Sequence, residues 1–177
     1  MPQVIIIGGP NGAGKTTFAS EYLADMHPFI EFVNADEIAR SIAQLDATAS
    51  AQRIDRRAAR LMMEQIDTLV KAGNSFALET TLASRTYARK ILRWRKSGYK
   101  ISLIYLRLAS VDEAIIRVRR RVEAGGHGVP EEVIHRRFGR SAAYLATAYK
   151  PIVDEWHIYD SLEGKFKRAE SSRNKNG

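Results

Sequence analysis

The sequence predicts an α/β fold in which a parallel sheet of about five strands carries helices on both faces. Short, β-branched apolar runs alternate along the chain with segments whose apolar residues recur three or four positions apart, a pattern typical of alternating strands and helices. A glycine-rich loop separates the first such run from the first such helix. With 177 residues and 45% hydrophobic content, the chain suffices for one domain with a sizeable core. We therefore expect a single domain over residues 1–177.

The first strand, loop and helix carry the most specific motif of the chain. Val4–Ile7 is an apolar, β-branched run typical of a buried strand, and residues 16–23 have apolar positions at helical spacing. Between them, Gly9–Thr16 fits G-x-x-x-x-G-K-[ST], the P-loop that cradles nucleotide phosphates. This context predicts a P-loop NTPase or kinase fold. The alternative is a glycine-rich turn that binds no ligand.

The P-loop predicts binding of ATP or GTP together with Mg²⁺. Its glycines allow successive backbone N–H groups to point at an anion, beside the positive end of the helix dipole. Lys15 is expected to reach the β- and γ-phosphates and the Thr16 hydroxyl to hold Mg²⁺. The nucleotide-binding residues predicted here are Gly9, Pro10, Asn11, Gly12, Ala13, Gly14, Lys15, Thr16 and Thr17.

The remaining elements follow from the same periodicities. Further strands are predicted over Phe29–Val33, Ser75–Leu78, Lys100–Leu108 (the longest) and Trp156–Asp160. Helices are predicted from Ile38, over residues 52–72, from Ser84 to Lys96, over Val111–Glu123, and from Pro130 to about Tyr149. We expect a lid region at about 111–130, which includes a flexible glycine-rich loop, and a frayed tail at about 163–177.

Polar residues that end neighbouring strands should meet at one edge of the sheet. In a parallel sheet, ligands bind beyond the carboxyl ends of the strands, where the P-loop, Asn34–Glu37 and Glu79–Thr81 are expected. Asp36 is the candidate catalytic base, since a kinase needs a carboxylate that orients the acceptor hydroxyl and takes its proton. The alternative for Asp36 is a helix N-cap, and Glu37 is expected to be solvated.

Glu79, Thr80 and Thr81 are candidate acceptor-binding residues. A carboxylate at the end of a buried strand can bind hydroxyls of the acceptor or a water on Mg²⁺, and the threonines can donate to phosphate or sugar. Arg85 follows closely and could pair with a phosphate on the acceptor. The alternatives are capping of the next turn for the strand-end residues and a surface role for Arg85.

The helix over Val111–Glu123 carries a run of arginines. Arg117, Arg120 and Arg121 share one face at spacings i, i+3 and i+4, and like charges there repel one another unless they meet anions. A lid bearing these arginines would neutralise charge on the transferring phosphoryl group, so we expect Arg121 to be catalytic and Arg117 and Arg120 to bind nucleotide. A solvated face or a nucleic-acid patch is the alternative. His127, flanked by glycines, is a candidate substrate contact or a structural histidine.

Composition excludes several classes of protein. The absence of Cys excludes disulfide frameworks and thiolate metal sites and fits a reducing cytosol, and no apolar run approaches the ~18 residues of a membrane span. We expect a cytoplasmic protein that does not use a membrane. The net charge of +8 suits a nucleotide, a phosphorylated sugar or nucleic acid. Nucleic acid is disfavoured because no aromatic platform is interleaved with the basic residues.

The combination of motifs resembles the zeta toxin family of P-loop kinases, and especially its short single-domain bacterial relatives. The resemblance runs from Val4 to Asp160 and is carried by Gly9–Thr16, Asn34–Asp36, Glu79–Thr81 and Gly125–Pro130. It implies phosphorylation of the sugar 3′-hydroxyl of UDP-N-acetylglucosamine with ATP or GTP, and it makes an antitoxin protein a candidate partner. By the same resemblance, Asp36 is the base, Glu79 and Thr81 contact the sugar, Arg85 binds the substrate, and Arg121 is a lid arginine.

Other functions remain open from the residues alone. The leading interpretation is a small-molecule kinase with a hydroxyl acceptor, which could be another sugar or metabolite. A kinase of nucleic-acid ends would account for the net charge. A third possible function is a nucleotide-binding switch that hydrolyses its nucleotide slowly, although no catalytic Gln or Asn stands out near the expected γ-phosphate.

Overall fold

The computed structural model describes residues 1–46, 48–126 and 128–172. Its strands are β1 (Gln3–Gly8), β2 (Glu31–Val33), β3 (Phe76–Thr80), β4 (Lys100–Arg107), β5 (Glu155–Leu162) and β6 (Lys165–Ser171). Its α-helices are α1 (Lys15–Met26), α2 (Ala35–Leu45), α3 (Ala51–Ala72), α4 (Thr86–Lys96), α5 (Val111–Glu123) and α6 (Glu131–Tyr144). The helix predicted to reach Tyr149 continues beyond α6 as a π-helical turn (Leu145–Tyr149) and a 3₁₀ turn (Lys150–Ile152).

The strands form one sheet in the order β2-β3-β1-β4-β5-β6, in which every neighbouring pair is parallel except β5 and β6. This confirms the predicted α/β fold with helices on both faces. The central strand β1 shows why both faces are covered. Val4 and Ile6 lie in one buried cluster, which α3 and α4 complete, while Ile5 and Ile7 lie in a second cluster with α1 and α5.

The end of the chain differs from the prediction. Instead of fraying from Glu163, it turns at Glu163–Gly164, both with positive φ, and returns as β6 antiparallel to β5. The sequence of β6 is mostly polar and exposed, so it lacks the apolar run that marks a buried strand; only Phe166 faces inward, against Phe18 of α1. Residues 173–177 of the predicted tail lie outside the described part of the chain.

The register of the sheet brings the carboxyl ends of β1, β2 and β3 to the same edge. Gly8, the last residue of β1, pairs with Thr80 of β3 on one side and with Tyr105 of β4 on the other. Val33 of β2 pairs with Leu78, so the residues after β2 lie beside Glu79. The loop after β1 and the ends of β2 and β3 therefore meet at one edge. Within the described residues, no helix is both long and apolar enough to cross a membrane.

Candidate functional site

A cavity of about 530 Å³ opens at this edge of the sheet. Its walls are the loop after β1, the first turns of α2 and α4, one face of α3, the ends of β3 and α5, and the start of α6. Its volume is within the range typical of small-molecule sites. The cavity brings together side chains that are far apart in the sequence.

The loop Gly9–Thr16 curls as the P-loop motif predicts, and its glycines make this possible. Gly12 has a φ of 79°, and a Cβ there would lie 2.8 Å from the backbone oxygen of Ala114 in α5. Gly14 has a φ of 75° and is the residue from which α1 begins. Side chains at these positions would strain the backbone or clash, so the loop can approach both α5 and an anion closely.

Lys15, the first residue of α1, points into the loop and is only 7% exposed. Its Nζ donates to the Pro10 carbonyl oxygen at 3.1 Å and lies 3.6 Å from Glu79 Oε1. Burial lowers the pKa of the Lys15 ammonium, while the carboxylates of Glu79 and Asp36 act in the opposite direction and favour the charged form. The ammonium is thus held at the mouth of the loop, beside two carboxylates.

Glu79 connects the P-loop to the end of β2. Thr16 Oγ1 donates to Glu79 Oε2 at 2.8 Å, and Asn34 Nδ2 donates to the same oxygen at 3.0 Å. Hydroxyl and carboxylate oxygens are hard donors of the kind that Mg²⁺ takes alongside phosphates and waters, so the pair Thr16 and Glu79 fits this ion. Within the described residues there is no cluster of three or more His, Cys, Asp and Glu side chains that could hold a metal by itself.

Asn34 is a residue of this network that sequence reasoning did not assign. It is 3% exposed and directly follows β2, and its Oδ1 accepts a hydrogen bond of 2.8 Å from the backbone N–H of Asp36. Asn34 is therefore the N-cap of α2, and the alternative reading of Asp36 as the cap is wrong. The sequence does contain a signal for this role, because an Asn directly after a strand and before a helix is typical of an N-cap.

Asp36 lines the cavity together with Lys15. Asp36 and Glu37 both lie in the first turn of α2 and both are exposed, but Glu37 does not line the cavity. Since Asn34 holds the helix end, the Asp36 carboxylate is available to a ligand in the cavity. The distinction between the two acidic residues agrees with the expectation that Glu37 is solvated.

The two threonines after Glu79 also line the cavity, but both are tied to the turn that follows β3. Thr80 Oγ1 accepts from the Leu82 N–H at 3.1 Å, and the Thr81 carbonyl accepts from Ser141 Oγ of α6 at 2.6 Å. Leu82 itself has a φ of 54°, which a leucine rarely adopts, and is buried against Gly8. This turn thus joins β3, β1 and α6.

Arg85 does not line the cavity. Its guanidinium lies over the ring of Tyr144 at the end of α6, 5.2 Å from the centroid. The arginine that lines the cavity from α6 is instead Arg137. The sequence alone does not distinguish Arg137 from Arg136 and Arg140, which carry the same charge on the same helix.

The arginines of α5 do not form one exposed face. Arg117 is tied to β5 and to its own helix, donating to Ser161 Oγ at 2.8 Å and to Glu113 Oε1 at 2.5 Å. Arg120 is exposed and outside the cavity, whereas Arg121 lines it. Arg119 pairs with Glu131 of α6. Of this helix, Arg121 is the arginine that the structure brings to the cavity wall.

The loop between α5 and α6 closes the cavity with Gly128, Val129 and Pro130. Gly126 packs directly on Arg121: its N–H donates to the Arg121 carbonyl oxygen at 2.8 Å, and a Cβ there would lie 2.6 Å from Arg121 Cγ. His127 lies outside the described residues, so its predicted contact with substrate stays a prediction.

Comparison with known proteins gives a family and a fold. A family model described as an AAA domain matches residues 4–145, which is more than half of the chain. A Haemophilus influenzae protein described as uncharacterized is 24% identical over 136 residues, covering 77% of this chain and 92% of that protein.

Three solved structures share the fold at low sequence identity. A chain of the AvrRxo1-ORF1:AvrRxo1-ORF2 complex with ATP has a TM-score of 0.74 and 16% identity, covering 97% of this chain and 58% of that one. The chain therefore spans little more than half of that protein. A chain of the PezAT chromosomal toxin–antitoxin system of Streptococcus pneumoniae has a TM-score of 0.70 and 17% identity, covering 100% of this chain and 74% of that one. A gluconokinase from Sinorhizobium meliloti has a TM-score of 0.56 and 16% identity, covering 92% of this chain and 84% of that one.

Proposed function

We propose that this chain, which belongs to the AAA domain family and whose P-loop residues Asn11 and Lys15 line the cavity, is a phosphotransferase. It transfers the γ-phosphoryl group of ATP or GTP to a hydroxyl of a small molecule. One observation carries the proposal: Lys15 of the P-loop and the carboxylate of Asp36 line the same cavity, which leaves room for an acceptor between them. A P-loop that only hydrolysed or sensed nucleotide would not need room for a second molecule in this cavity.

The reaction assigns each residue a role. The acceptor oxygen attacks the γ-phosphorus, the bond from that phosphorus to the β,γ-bridging oxygen breaks, and ADP or GDP leaves. Asp36 orients the hydroxyl and accepts its proton. Lys15 is the ammonium that contacts the β- and γ-phosphates, and its burial makes this charge effective because little water screens it.

Glu79 and Thr16 are the residues that would hold Mg²⁺. When bound, the ion neutralises charge on the phosphates during transfer. Glu79 also accepts hydrogen bonds from the hydroxyl of Thr16 and the amide of Asn34, which fixes the residue after β2 relative to the P-loop. Arg121 approaches from α5 and would stabilise charge that develops on the transferring group.

For the acceptor we propose the sugar 3′-hydroxyl of UDP-N-acetylglucosamine. The support is the order of motifs shared with the zeta toxin family, together with a fold like that of the PezAT system. The cavity is also lined by Asp36, Glu79, Thr80 and Thr81, which could bind several hydroxyls of a sugar. An antitoxin partner belongs to the same proposal.

³¹P NMR tests the proposal. The chain is incubated with Mg-ATP and, separately, UDP-N-acetylglucosamine, gluconate and a DNA oligonucleotide with a 5′-hydroxyl. The expected result is a new phosphomonoester resonance with the sugar nucleotide, matched by an equal amount of ADP. A resonance only with gluconate would keep the kinase and replace the acceptor, and one only with the oligonucleotide would favour a nucleic-acid kinase. Release of inorganic phosphate at the same rate with every compound would contradict phosphotransfer and favour a switch.

A further inference from the structure

We infer that Arg137 of α6 binds an anionic group of the acceptor, so that the acceptor is itself phosphorylated or carries a diphosphate. This inference rests on the proposed kinase function and names the class of molecule that fills the cavity. It assigns a subsite in the part of the cavity that α6 and the residues around the start of α4 line.

The first argument is the environment of Arg137. Its side chain is half-buried and lines the cavity, yet within the described residues it makes no ion pair and no hydrogen bond. Other partly buried cations are paired: Lys90 with Asp67 at 3.0 Å, and Arg117 with Glu113. A guanidinium held away from bulk water without a partner is costly, and an anion in the cavity would offset that cost.

The second argument is the position of Arg137 along α6. Val133, one turn earlier, lines the cavity, and Ser141, one turn later, donates to the Thr81 carbonyl oxygen. Residues spaced by four lie on one face of a helix, so Arg137 overlies the turn that follows β3. The start of α4 forms the same wall, and Ser84 and Thr86 line the cavity there.

These groups suit a phosphate. Arginine binds phosphate through two parallel N–H donors, and the hydroxyls of Ser84 and Thr86 could add further donors. The two hydroxyls are linked at 3.1 Å, which fixes them relative to each other. Asp36 and Asp55 also line the cavity, but neither pairs with Arg137, so they do not neutralise its guanidinium.

The test measures acceptor binding separately from phosphotransfer. The P-loop is first saturated with Mg²⁺ and a non-hydrolysable ATP analogue, so that it cannot bind the probes. Calorimetric titration then compares UDP-N-acetylglucosamine, N-acetylglucosamine 1-phosphate and inorganic phosphate with neutral N-acetylglucosamine. The variants are Arg137→Met, which keeps the length of the side chain, Arg137→Lys, and Arg136→Met as a matched control, since Arg136 is exposed on the same helix.

The expected result is binding of phosphorylated probes by the wild type, weaker by about 10-fold or more in Arg137→Met, because a hydrogen bond to a charged group has that order of effect. Arg137→Lys should recover part of the affinity, and Arg136→Met should behave as wild type. Equal affinity of wild type and Arg137→Met for the phosphorylated probes, no binding of them at all, or equal binding of the neutral sugar would each overturn the inference.

The kinase proposal can fail independently. If the ATP analogue does not bind, the proposed function is wrong, and the same probes titrated into the nucleotide-free protein still show whether an anion depends on Arg137. If the analogue binds and the phosphorylated probes do not, the kinase proposal stands and the anion subsite is refuted.

Discussion

Replacing Asp36 with asparagine separates catalysis from helix capping, because the structure gives the cap to Asn34. Asn34 Oδ1 accepts from the backbone N–H of residue 36, and this bond does not involve the side chain of Asp36. The substitution keeps the size of the side chain. It removes a negative charge from the first turn of α2, where an acidic side chain contributes about 0.3–1 kcal/mol through the helix dipole.

The expected loss of stability is therefore small. In a chain of this size, 1 kcal/mol corresponds to a shift in Tm of roughly 2–4 °C, so Asp36→Asn should melt within about 4 °C of the wild type. The catalytic effect should be much larger. A general base contributes typically about 100-fold to 10,000-fold to the rate, and the loose transition state of phosphoryl transfer favours the lower part of that range.

Glu37→Gln is the matched control. Glu37 lies in the same turn and its loss removes the same helix-dipole contribution, but its side chain does not line the cavity. Melting curves and kcat should be measured for both variants, with ATP affinity determined by calorimetry. We expect equal small shifts in Tm, unchanged ATP affinity, and a loss of kcat of at least about 100-fold only in Asp36→Asn. Equal kcat values for the two variants would refute the role of Asp36 as a base.

Three further predictions follow from Lys15, Arg121 and Phe166. Burial lowers the pKa of the Lys15 ammonium below its ordinary 10.5, and only the protonated amine attracts phosphate. ATP affinity should therefore fall as the pH rises through that lowered pKa. An ATP affinity that stays constant up to pH 10.5 would contradict this prediction. Arg121→Ala should lower kcat by about 1,000-fold or more, with a smaller change in the KM for ATP, whereas a change in KM alone would make Arg121 a ground-state contact. Phe166→Ala should lower the free energy of unfolding by about 2 kcal/mol, because this half-buried ring packs on Phe18 and on the P-loop, and ATP affinity should fall as well. Chemical denaturation measures the loss, with Lys167→Ala as the control, since Lys167 is exposed and its replacement should have little effect.

The fold could be predicted from the sequence because burial of its main elements leaves a clear pattern. β1 and β4 are rich in apolar residues because they are buried on both faces, and α3 repeats apolar residues along its one buried face, so their positions were confirmed to within a few residues. β6 could not be predicted in this way. Its side chains are mostly solvated. It is held by pairing with β5, by the packing of Phe166 on α1 and the P-loop, and by polar contacts such as the ion pair of Glu170 with Arg107 of β4.

The site was predictable where a motif fixes the backbone and not where side-chain direction decides. Gly9–Thr16 specifies its own conformation, and the parallel sheet brings Glu79 to it, as the contact with Thr16 shows. Arginines on helices are different, because spacing alone does not tell which neighbour each one meets. Arg85 lies over Tyr144, while Arg137 faces the cavity, and both outcomes depend on how α4 and α6 pack together.

The central claim is that the γ-phosphoryl group of a nucleotide passes from the P-loop to a small molecule in the adjoining cavity. The most direct measurement follows label from [γ-³²P]ATP in the presence of Mg²⁺ and the small-molecule fraction of a bacterial cell extract, with Lys15→Ala as the inactive control. The account predicts label in an organic phosphomonoester that alkaline phosphatase releases, and none with the Lys15→Ala protein. Label found only in inorganic phosphate, or organic label formed equally by the Lys15→Ala protein, would contradict it.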